Sequence, residues 1–334
     1  MASGRRIRTV EFSKDRVNVF FHILTACNLS CKHCYINPSA HGTRTLPIET
    51  IRAWIDLFAA RKPSANIIFL GGEPTLHPDL SHAVRHARQR GYQSITIDTN
   101  GFLFHDILDK ISPDEVDAIS FSLDGAEART NDRLRGKGCF DAVIQGIRKA
   151  VAAGFGISVI FTVSSANIHE LPRMPALLQS LGVHRFFIQV VGLRGQSASK
   201  TETGQTEASV WLDNVPRVAE EAAERGITVT YPKVYLEPDE TFECAGKVAD
   251  NAFIFPNGRV YRCPLCEDHP LHSLEIVDNR LCERPPLTER ELFELDIPEG
   301  CVMNRLIQPG NIVYGADGKP VHRIACCMLK QELT

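Results

Sequence analysis

A regular alternation of short apolar runs and helical segments constrains the fold of this chain most. Six runs have strand length: VNVFFHIL (17–24), NIIFL (66–70), SITID (94–98), AISFSL (118–123), ISVIFTV (157–163) and RFFIQVV (185–191). Helical segments lie between and after them, near 47–60, 79–91, 104–111, 140–153, 171–181 and 208–225. Such alternation is typical of successive βαβ units and a parallel sheet.

The number and character of the runs narrow the fold class. Each run looks continuously apolar, as expected of strands that are covered on both faces. Six units are too few for a closed eight-fold barrel. We therefore predict an α/β fold built on a partial (β/α)6 TIM-like barrel.

The pattern changes after about residue 230, where proline and cysteine become frequent. The segment FIFPNGRVYRCPLC (253–266) predicts a hairpin that turns at 256–258, and NIVYGADGKPVHRIACC (311–327) predicts a second hairpin at an Asp-Gly turn. We predict three parts: an N-terminal lead-in (1–16), the partial barrel (17–234) and a small, cysteine-bearing β-hairpin/α domain (235–334).

Composition and charge exclude several classes of function. The formal net charge of −3 over 334 residues gives no basic footprint for nucleic acid. No window reaches the ~18 apolar residues that a membrane span requires, so no membrane association is expected. The N-terminus MASGRRIRTVEFSKDR is polar and has no secretory h-region. We expect a cytoplasmic protein.

The chain has eleven cysteines, and they cluster. In a reducing compartment, metal binding or catalysis explains them better than disulfides. Cys27, Cys31 and Cys34 form a C-x3-C-x2-C motif directly after the first strand, and seven more lie within 244–327. Cys139 stands alone at a predicted helix start, where a small apolar residue is usually part of the core.

Three thiolates at this spacing can hold three irons of a [4Fe–4S] cube. The fourth iron would then be open to substrate or cofactor, like the open position of a catalytic zinc site. The alternative is a zinc knuckle that takes a fourth ligand such as His33.

Five short motifs, in order, resemble those of the radical S-adenosylmethionine (radical SAM) superfamily. They are TACNLSCKHCY, FLGGEPTLHPDL (69–80), TNG (99–101), SLDG (122–125) and NDRLRGKGCF (131–140), and the resemblance covers about residues 17–192. It implies a [4Fe–4S] cluster on Cys27, Cys31 and Cys34, whose open iron is chelated by the methionine end of S-adenosylmethionine. Reductive cleavage then gives a 5′-deoxyadenosyl radical that abstracts hydrogen from a substrate carbon. An electron donor such as flavodoxin or ferredoxin is expected.

The resemblance also implies contacts to S-adenosylmethionine. In the family, GGEP contacts the amino group of S-adenosylmethionine and RLRG would contact its carboxylate. The ends of the third and fourth strands would contact the ribose. QVVG and the residue at position 33 would contact the adenine. The candidates are Gly71, Gly72, Glu73, Thr99, Asn100, Ser122, Asp124, Arg135, Val190 and His33. As alternatives, GGEP is a plain turn with a surface glutamate, SLDG is a turn, and Arg135 is an exposed charge. His33 replaces the aromatic residue usual in the family.

The C-terminal cysteines resemble the opening of the SPASM and Twitch extensions, which carry auxiliary iron–sulfur clusters. Cys244 and Cys263 fit C-x13-G-x4-C, but the later SPASM pattern C-x2-C-x5-C-x3-C is absent. A single auxiliary [4Fe–4S] cluster, as in a Twitch domain, is therefore expected. The expected ligands are Cys244, Cys263, Cys301 and Cys326, with Cys266 and Cys327 as alternates and Cys282 as the weakest candidate. A structural zinc is the alternative.

Three functions remain open at this point. The first is a radical SAM enzyme that modifies a peptide or protein side chain; about sixteen residues precede the first strand, so no fused leader-recognition domain is expected. The second is a small-molecule dehydrogenase, decarboxylase or transferase. The third is a non-catalytic iron–sulfur or zinc carrier. No general base can be named, because Tyr235, Glu237 and Asp239 near the domain junction are only polar residues in a plausible place.

Overall fold

A computed structural model describes residues 8–10, 17–61, 64–199, 204–237, 239–284 and 287–334, so most of the predicted lead-in lies outside the described residues. The strands are β1 Arg8–Val10, β2 Val17–Leu24, β3 Asn66–Gly71, β4 Ser94–Thr99, β5 Ala118–Ser122, β6 Ile157–Val163, β7 Arg185–Val190, β8 Thr228–Pro232, β9 Tyr235–Leu236, β10 Asp250–Ile254, β11 Arg259–Tyr261, β12 Leu274–Val277, β13 Arg280–Glu283, β14 Arg323–Ile324 and β15 Lys330–Leu333. The α-helices are α1 Pro38–His41, α2 Ile48–Ala59, α3 Leu80–Gln89, α4 Ile107–Lys110, α5 Ala128–Arg135, α6 Cys139–Ala152, α7 Met174–Ser180, α8 Ala208–Glu224, α9 Ala245–Val248, α10 Glu289–Phe293 and α11 Val302–Ile307. None of the helices in these ranges has the length and apolar character that crossing a membrane demands.

The main sheet follows the order β1-β15-β8-β7-β6-β5-β4-β3-β2-β10-β11-β12-β13. Strands β2 to β8 run parallel, each hydrogen-bonded to the next in the chain. The six predicted strands are confirmed, and the fold is the mixed α/β partial barrel that was expected. The seventh parallel strand, β8, was missed because it is a short alternating run directly after the long helix α8.

Residues after 234 extend the same sheet at both edges. Strand β10 pairs in parallel with β2, and β15 pairs antiparallel with β8. The predicted hairpin is confirmed as β10–β11, and Gly258 adopts φ 89°, a left-handed value that suits glycine at the turn. The part of the chain with seven cysteines is therefore tied to the first barrel strand through backbone hydrogen bonds.

The two faces of the parallel strands differ, which corrects the expectation of uniformly apolar strands. Side chains that face the helices, such as Phe21, Phe69 and Phe121, are fully buried. Alternate side chains on the inner face are often polar and partly exposed, among them Asn18, Asn66, Thr96, Asp98, Ser122, Thr162 and Gln189. The inside of the partial barrel is therefore open to water and lined by hydrogen-bonding groups.

Candidate functional site

The first cysteine motif lies on an irregular segment after β2, which we call the cysteine loop (residues 25–37). Cys27 is exposed, and Cys31 and Cys34 are partly buried. The backbone N–H of Lys32 donates to the carbonyl of Leu134 in α5 at 2.8 Å. Burial raises the pKa of the Cys31 thiol to about 12. In the metal-free chain this thiol is protonated at neutral pH, so metal binding must displace its proton.

The two glycines at the end of β3 pack directly on the start of the cysteine loop. A Cβ atom on Gly71 would collide with the carbonyl oxygen of Leu24, and one on Gly72 would lie 2.5 Å from the oxygen of Thr25. Glycine was expected here for close approach to a ligand. The structure shows one reason for glycine: at both positions the missing Cβ makes room for protein backbone, and the approach to a ligand stays a prediction.

Glu73 joins the end of β3 to the end of β4. Its Oε1 accepts hydrogen bonds from the Thr75 hydroxyl at 2.6 Å and the Thr99 hydroxyl at 2.8 Å, and its Oε2 accepts one from the Asn100 N–H at 2.8 Å. The side chain is fully buried, which raises the pKa of its carboxyl, although these donors oppose the shift. The Glu73 carboxylate and the Thr99 hydroxyl therefore hold the strand ends together, and the expected contacts of these two residues to the cofactor stay predictions.

Asn100 extends this connection to the cysteine loop. Its side-chain amide donates to Asn28 Oδ1 at 2.8 Å and lies 3.9 Å from the Cys27 sulfur. Because weak hydrogen bonds to sulfur tune an iron–sulfur centre, this amide is placed to act on Cys27 itself. The Asn100 amide thus supports the first thiol, and its expected contact to ribose stays a prediction.

Asp124, which follows β5, holds His33 and Arg135. Its Oδ2 lies 2.9 Å from His33 Nε2 and 2.6 Å from Arg135 Nη2, and its Oδ1 accepts a hydrogen bond from the Thr162 N–H at 2.7 Å. Burial alone would raise the pKa of the Asp124 carboxyl, but Arg135 and then His33 lower it to about 2. The Asp124 carboxylate therefore fixes His33, which lies between Cys31 and Cys34, and the expected contact of Asp124 to a ribose diol stays a prediction.

Five thiols of the C-terminal region line one apolar pocket, which we call the C-terminal thiol pocket. They belong to Cys244, Cys263, Cys301, Cys326 and Cys327. All four expected auxiliary ligands are thus brought together with one of the two alternates, whereas the other, Cys266, contacts the Cys263 thiol and does not line the pocket. The free volume between the pocket walls is about 10 Å³.

Two backbone N–H groups already point at sulfur in this pocket. Asn304 N lies 3.4 Å from the Cys301 sulfur at the start of α11, and Ala245 N lies 3.5 Å from the Cys326 sulfur. Hydrogen bonds from Cys244 and Cys327 lower the pKa of the Cys326 thiol. In the described part of the chain, no three His, Cys, Asp or Glu side chains form a group suited to one metal ion.

The chain is similar to known proteins across this site. The Radical SAM superfamily model matches residues 22–178. A probable GTP 3′,8-cyclase of Saccharolobus solfataricus is 30% identical over 77% of this chain and 86% of its own length. The chain belongs to the radical SAM superfamily. As such it is an enzyme, and its family implies a [4Fe–4S] cluster and S-adenosylmethionine.

Two further similar proteins differ in the share of each chain that the similarity covers. Fe-coproporphyrin III synthase of Methanosarcina barkeri is 31% identical over 65% of this radical SAM chain, which spans only 55% of that protein's length. The solved structure of native anSMEcpe with bound AdoMet and Kp18Cys peptide matches with a TM-score of 0.60, covering 90% of this chain and 84% of that one at 13% identity. At that identity the likeness concerns the fold alone.

The radical SAM cofactors fit the residues present. Three thiols on one loop are a suitable donor set for a cluster with one open iron. Arg135 is nearly buried, and its Nε has no hydrogen-bond partner among the described residues, which leaves a cationic donor beside Cys31. Ser122 and Val190 are partly exposed at the carboxyl ends of β5 and β7. Their contacts to S-adenosylmethionine remain predictions.

Sequence reasoning missed two features of this site. Asp98 faces the barrel interior with the Ser120 hydroxyl as its hydrogen-bond partner. The residue is partly exposed, but protein surrounds its carboxyl group, and this desolvation raises the carboxyl pKa to about 7. A carboxylate at the end of the predicted strand SITID was the available signal. The second feature is Tyr35, which lies beneath the Arg194 guanidinium and is hydrogen-bonded to His22 at 2.8 Å. Its partners are distant in the sequence, so no local pattern indicated this arrangement.

Proposed function

We propose that this radical SAM enzyme holds its catalytic [4Fe–4S] cluster on Cys27, Cys31 and Cys34. The observation that carries the proposal is the attachment of the cysteine loop to three strand ends. Gly72 packs on it from β3, Asn100 binds it from β4, and Asp124 binds it from β5. Ligands of parallel barrels bind at the carboxyl ends of the strands, which is where the cysteine loop lies.

The chain's own groups have distinct parts in this proposal. Arg135 Nε, for which the described part of the chain offers no hydrogen-bond acceptor, donates to the carboxylate of S-adenosylmethionine. The backbone at Gly71 and Gly72 meets its amino group, while Ser122 and Val190 border its ribose and adenine. When bound, the cluster supplies the electron for reductive cleavage of S-adenosylmethionine, which initiates hydrogen abstraction from a substrate carbon. A flavodoxin or ferredoxin serves as the electron donor.

The C-terminal thiol pocket holds a single auxiliary [4Fe–4S] cluster in this proposal. Two of its cysteine sulfurs, those of Cys301 and Cys326, receive backbone N–H donors. Apart from Arg262, its remaining walls are apolar residues such as Leu265 and Phe293. Apolar walls lower solvent access to a cluster, and N–H donors to its cysteine sulfurs tune its potential. The ligands are Cys244, Cys263, Cys301 and Cys326, and Cys327 is the competing fifth thiol. We treat residues 235–334 as the unit that carries this cluster.

For the substrate we propose a peptide or protein side chain. The structural likeness that covers most of this chain, including its C-terminal part, is to an enzyme solved with a bound peptide. The second candidate is a small molecule, because the relatives near 30% identity are named for GTP and for a coproporphyrin. In either case the substrate enters the open inner face, where Asp98 offers a carboxyl group.

The test is anaerobic reconstitution with iron and sulfide, followed by dithionite and S-adenosylmethionine. We expect 5′-deoxyadenosine from the wild type and none from the Cys27/Cys31/Cys34 triple alanine variant. Bound iron should fall from about eight to about four atoms per chain. Zinc without inorganic sulfide, or no 5′-deoxyadenosine from iron-loaded wild type, refutes the proposal. Peptides encoded beside the gene, and GTP as the small-molecule arm, are then compared for stimulation of 5′-deoxyadenosine formation.

A further inference from the structure

One arginine contacts the neighbours of both cysteine groups. The guanidinium of Arg194 lies over the ring of Tyr35, 4.6 Å from its centroid, and Tyr35 directly follows Cys34. The same guanidinium donates to the carbonyl of Pro264, which directly follows Cys263, and to the carboxylate of Glu267. A single side chain thus spans the cysteine loop and the rim of the C-terminal thiol pocket.

The segment that carries Arg194 is pressed against the cysteine loop. Gln196 N donates to the Cys34 carbonyl at 2.8 Å. Gly195 has φ 57°, and a Cβ at that position would lie 2.5 Å from the Tyr35 oxygen and 2.7 Å from the Cys34 oxygen. Only glycine permits this approach, so the loop after β7 and the backbone of Cys34 are in direct contact.

Tyr35 is held from its other end as well. Its hydroxyl lies 2.8 Å from His22 Nε2, and His22 Nδ1 lies 2.9 Å from the Ile254 carbonyl in β10. With Arg194 on its face and His22 at its hydroxyl, the ring has little freedom to move. Because Tyr35 adjoins Cys34 in the chain, the position of this ring limits the position of the third thiol.

The charge of Arg194 is compensated from the C-terminal side. Its side chain is 16% exposed, and that of Glu267 is 1% exposed. Removing one member of a buried ion pair leaves the other charge uncompensated, so each member depends strongly on its partner. Arg194 therefore keeps its place over Tyr35 only while the 264–267 segment is in position.

We propose that Arg194 is a positioning residue that holds Cys34 in place through Tyr35 and makes this placement depend on the segment beside the C-terminal thiol pocket. The inference rests on the proposed function in one respect, namely that Cys34 is a cluster ligand. A disordered 264–267 segment would release the cysteine loop, so the two thiol regions assemble in concert.

The experiment is site-resolved alkylation of the full-length chain, metal-free and reconstituted, with iodoacetamide and mass spectrometry. Burial raises the pKa of the Cys34 thiol and the charge of Arg194 lowers it, so each Cys34 rate is divided by the thiolate fraction obtained from its pH dependence. On that basis we expect alkylation of Cys34 in metal-free Arg194→Met to accelerate by about tenfold, the scale of one lost charge-assisted contact. Exposed Cys27 should keep its rate. Arg88→Met is the matched control, because Arg88 also bonds a carbonyl, that of Glu115, and a carboxylate, that of Asp117, at a distance from the cysteine loop.

A variant of Glu267 tests whether the placement of Cys34 depends on the 264–267 segment and not on Arg194 alone. Its carboxylate bonds Arg194, so Glu267→Gln should also expose Cys34, and the double variant should add little to Arg194→Met. Buried Cys139 reports unfolding. If Arg194→Met unfolds, Glu267→Gln and Arg194→Lys carry the test. Unchanged Cys34 rates, additive effects, or equal effects in Arg88→Met overturn the proposal.

A spectroscopic readout completes the test. In reconstituted Arg194→Met, the electron paramagnetic resonance signal of the reduced cluster with S-adenosylmethionine should shift, whereas Arg88→Met should keep the wild-type signal. If reconstitution protects none of Cys27, Cys31 and Cys34, the proposed cluster fails. The metal-free arm still decides the role of Arg194.

Discussion

The two thiol regions of this enzyme are built in different ways. Three thiols of the cysteine loop lie within eight residues, and one of them is exposed. The C-terminal thiol pocket collects five thiols from a span of more than eighty residues and has apolar walls. Charged side chains, Asp124 and Arg135, hold the first region, whereas strand pairing and the apolar core hold the second. A partly exposed site is suited to exchange a ligand, and an enclosed one is suited to keep its cluster.

The largest expected effect is a difference in S-adenosylmethionine cleavage between variants of the C-terminal thiol pocket and variants of the cysteine loop. Replacing Cys244, Cys263 and Cys326 together with alanine should remove about four irons and leave cleavage of S-adenosylmethionine measurable, because the cysteine loop is intact. The Cys27/Cys31/Cys34 triple variant should lose cleavage completely. Iron and 5′-deoxyadenosine assays check this. Equal loss of cleavage in both variants would show that the two regions are not separable.

The next effect concerns the fifth thiol of the pocket. A cube needs four thiolates, so Cys327→Ala should keep the auxiliary iron, whereas Cys326→Ala should lose about four atoms. Cys266→Ala is the matched control, because Cys266 lies beside the pocket without lining it. Iron and sulfide analysis after desalting measures the difference. Loss of iron from Cys327→Ala but not from Cys326→Ala would exchange their roles.

Removing Arg135 tests the charged support of the first region. Arg135→Met leaves the buried Asp124 without its cation and should lower the free energy of unfolding by about 3–5 kcal/mol. Arg262→Met, beside the second region, removes a hydrogen bond to the Ala249 carbonyl and should cost about 1 kcal/mol. Urea unfolding compares the two, and a larger cost for Arg262→Met would reverse the comparison.

The last expected effect is a pH dependence from Asp98 on the barrel's inner face. Burial raises the folded-state pKa of Asp98 to about 7, from about 3.9 in an unfolded chain. Between these two pKa values the folded state holds a proton that the unfolded state has lost. The free energy of unfolding therefore decreases as pH rises from about 4 to about 7. Asp98→Asn lacks this titration, so its stability relative to wild type should increase over that range.

Thermal unfolding of Asp98→Asn at pH 5 and pH 8 measures the increase. Asp114→Asn, at an exposed position, is the control and should show none. A difference from wild type that stays constant with pH would mean that Asp98 titrates normally in the folded chain.

The comparison also explains what the sequence could predict. The cysteine loop and the six strands were readable because their signals are local: three closely spaced thiols, and apolar runs between helices. Strand β8 was missed because a short alternating run after a long helix is a weak local signal. The edge pairings of β10 and β15 depend on contacts between distant parts of the chain.

The cofactor contacts show the same limit. The motifs around Glu73 and Asp124 were recognised, but their side chains bond Thr99, Asn100, His33 and Arg135 rather than pointing freely outward. Which partner satisfies a buried carboxylate depends on the approach of neighbouring strands, and sequence order does not contain that distance. Arg194 was missed for the same reason, since its partners lie about 160 residues before it and 70 after it.

The central claim is that the cysteine loop supplies three thiolates and leaves one iron for S-adenosylmethionine. The most direct measurement is electron paramagnetic resonance of the reduced Cys244/Cys263/Cys326 triple variant, whose remaining cluster is the one on the loop. Adding S-adenosylmethionine with ¹⁷O in its carboxylate should change and broaden the signal. A signal that is identical with and without the labelled molecule would contradict the account.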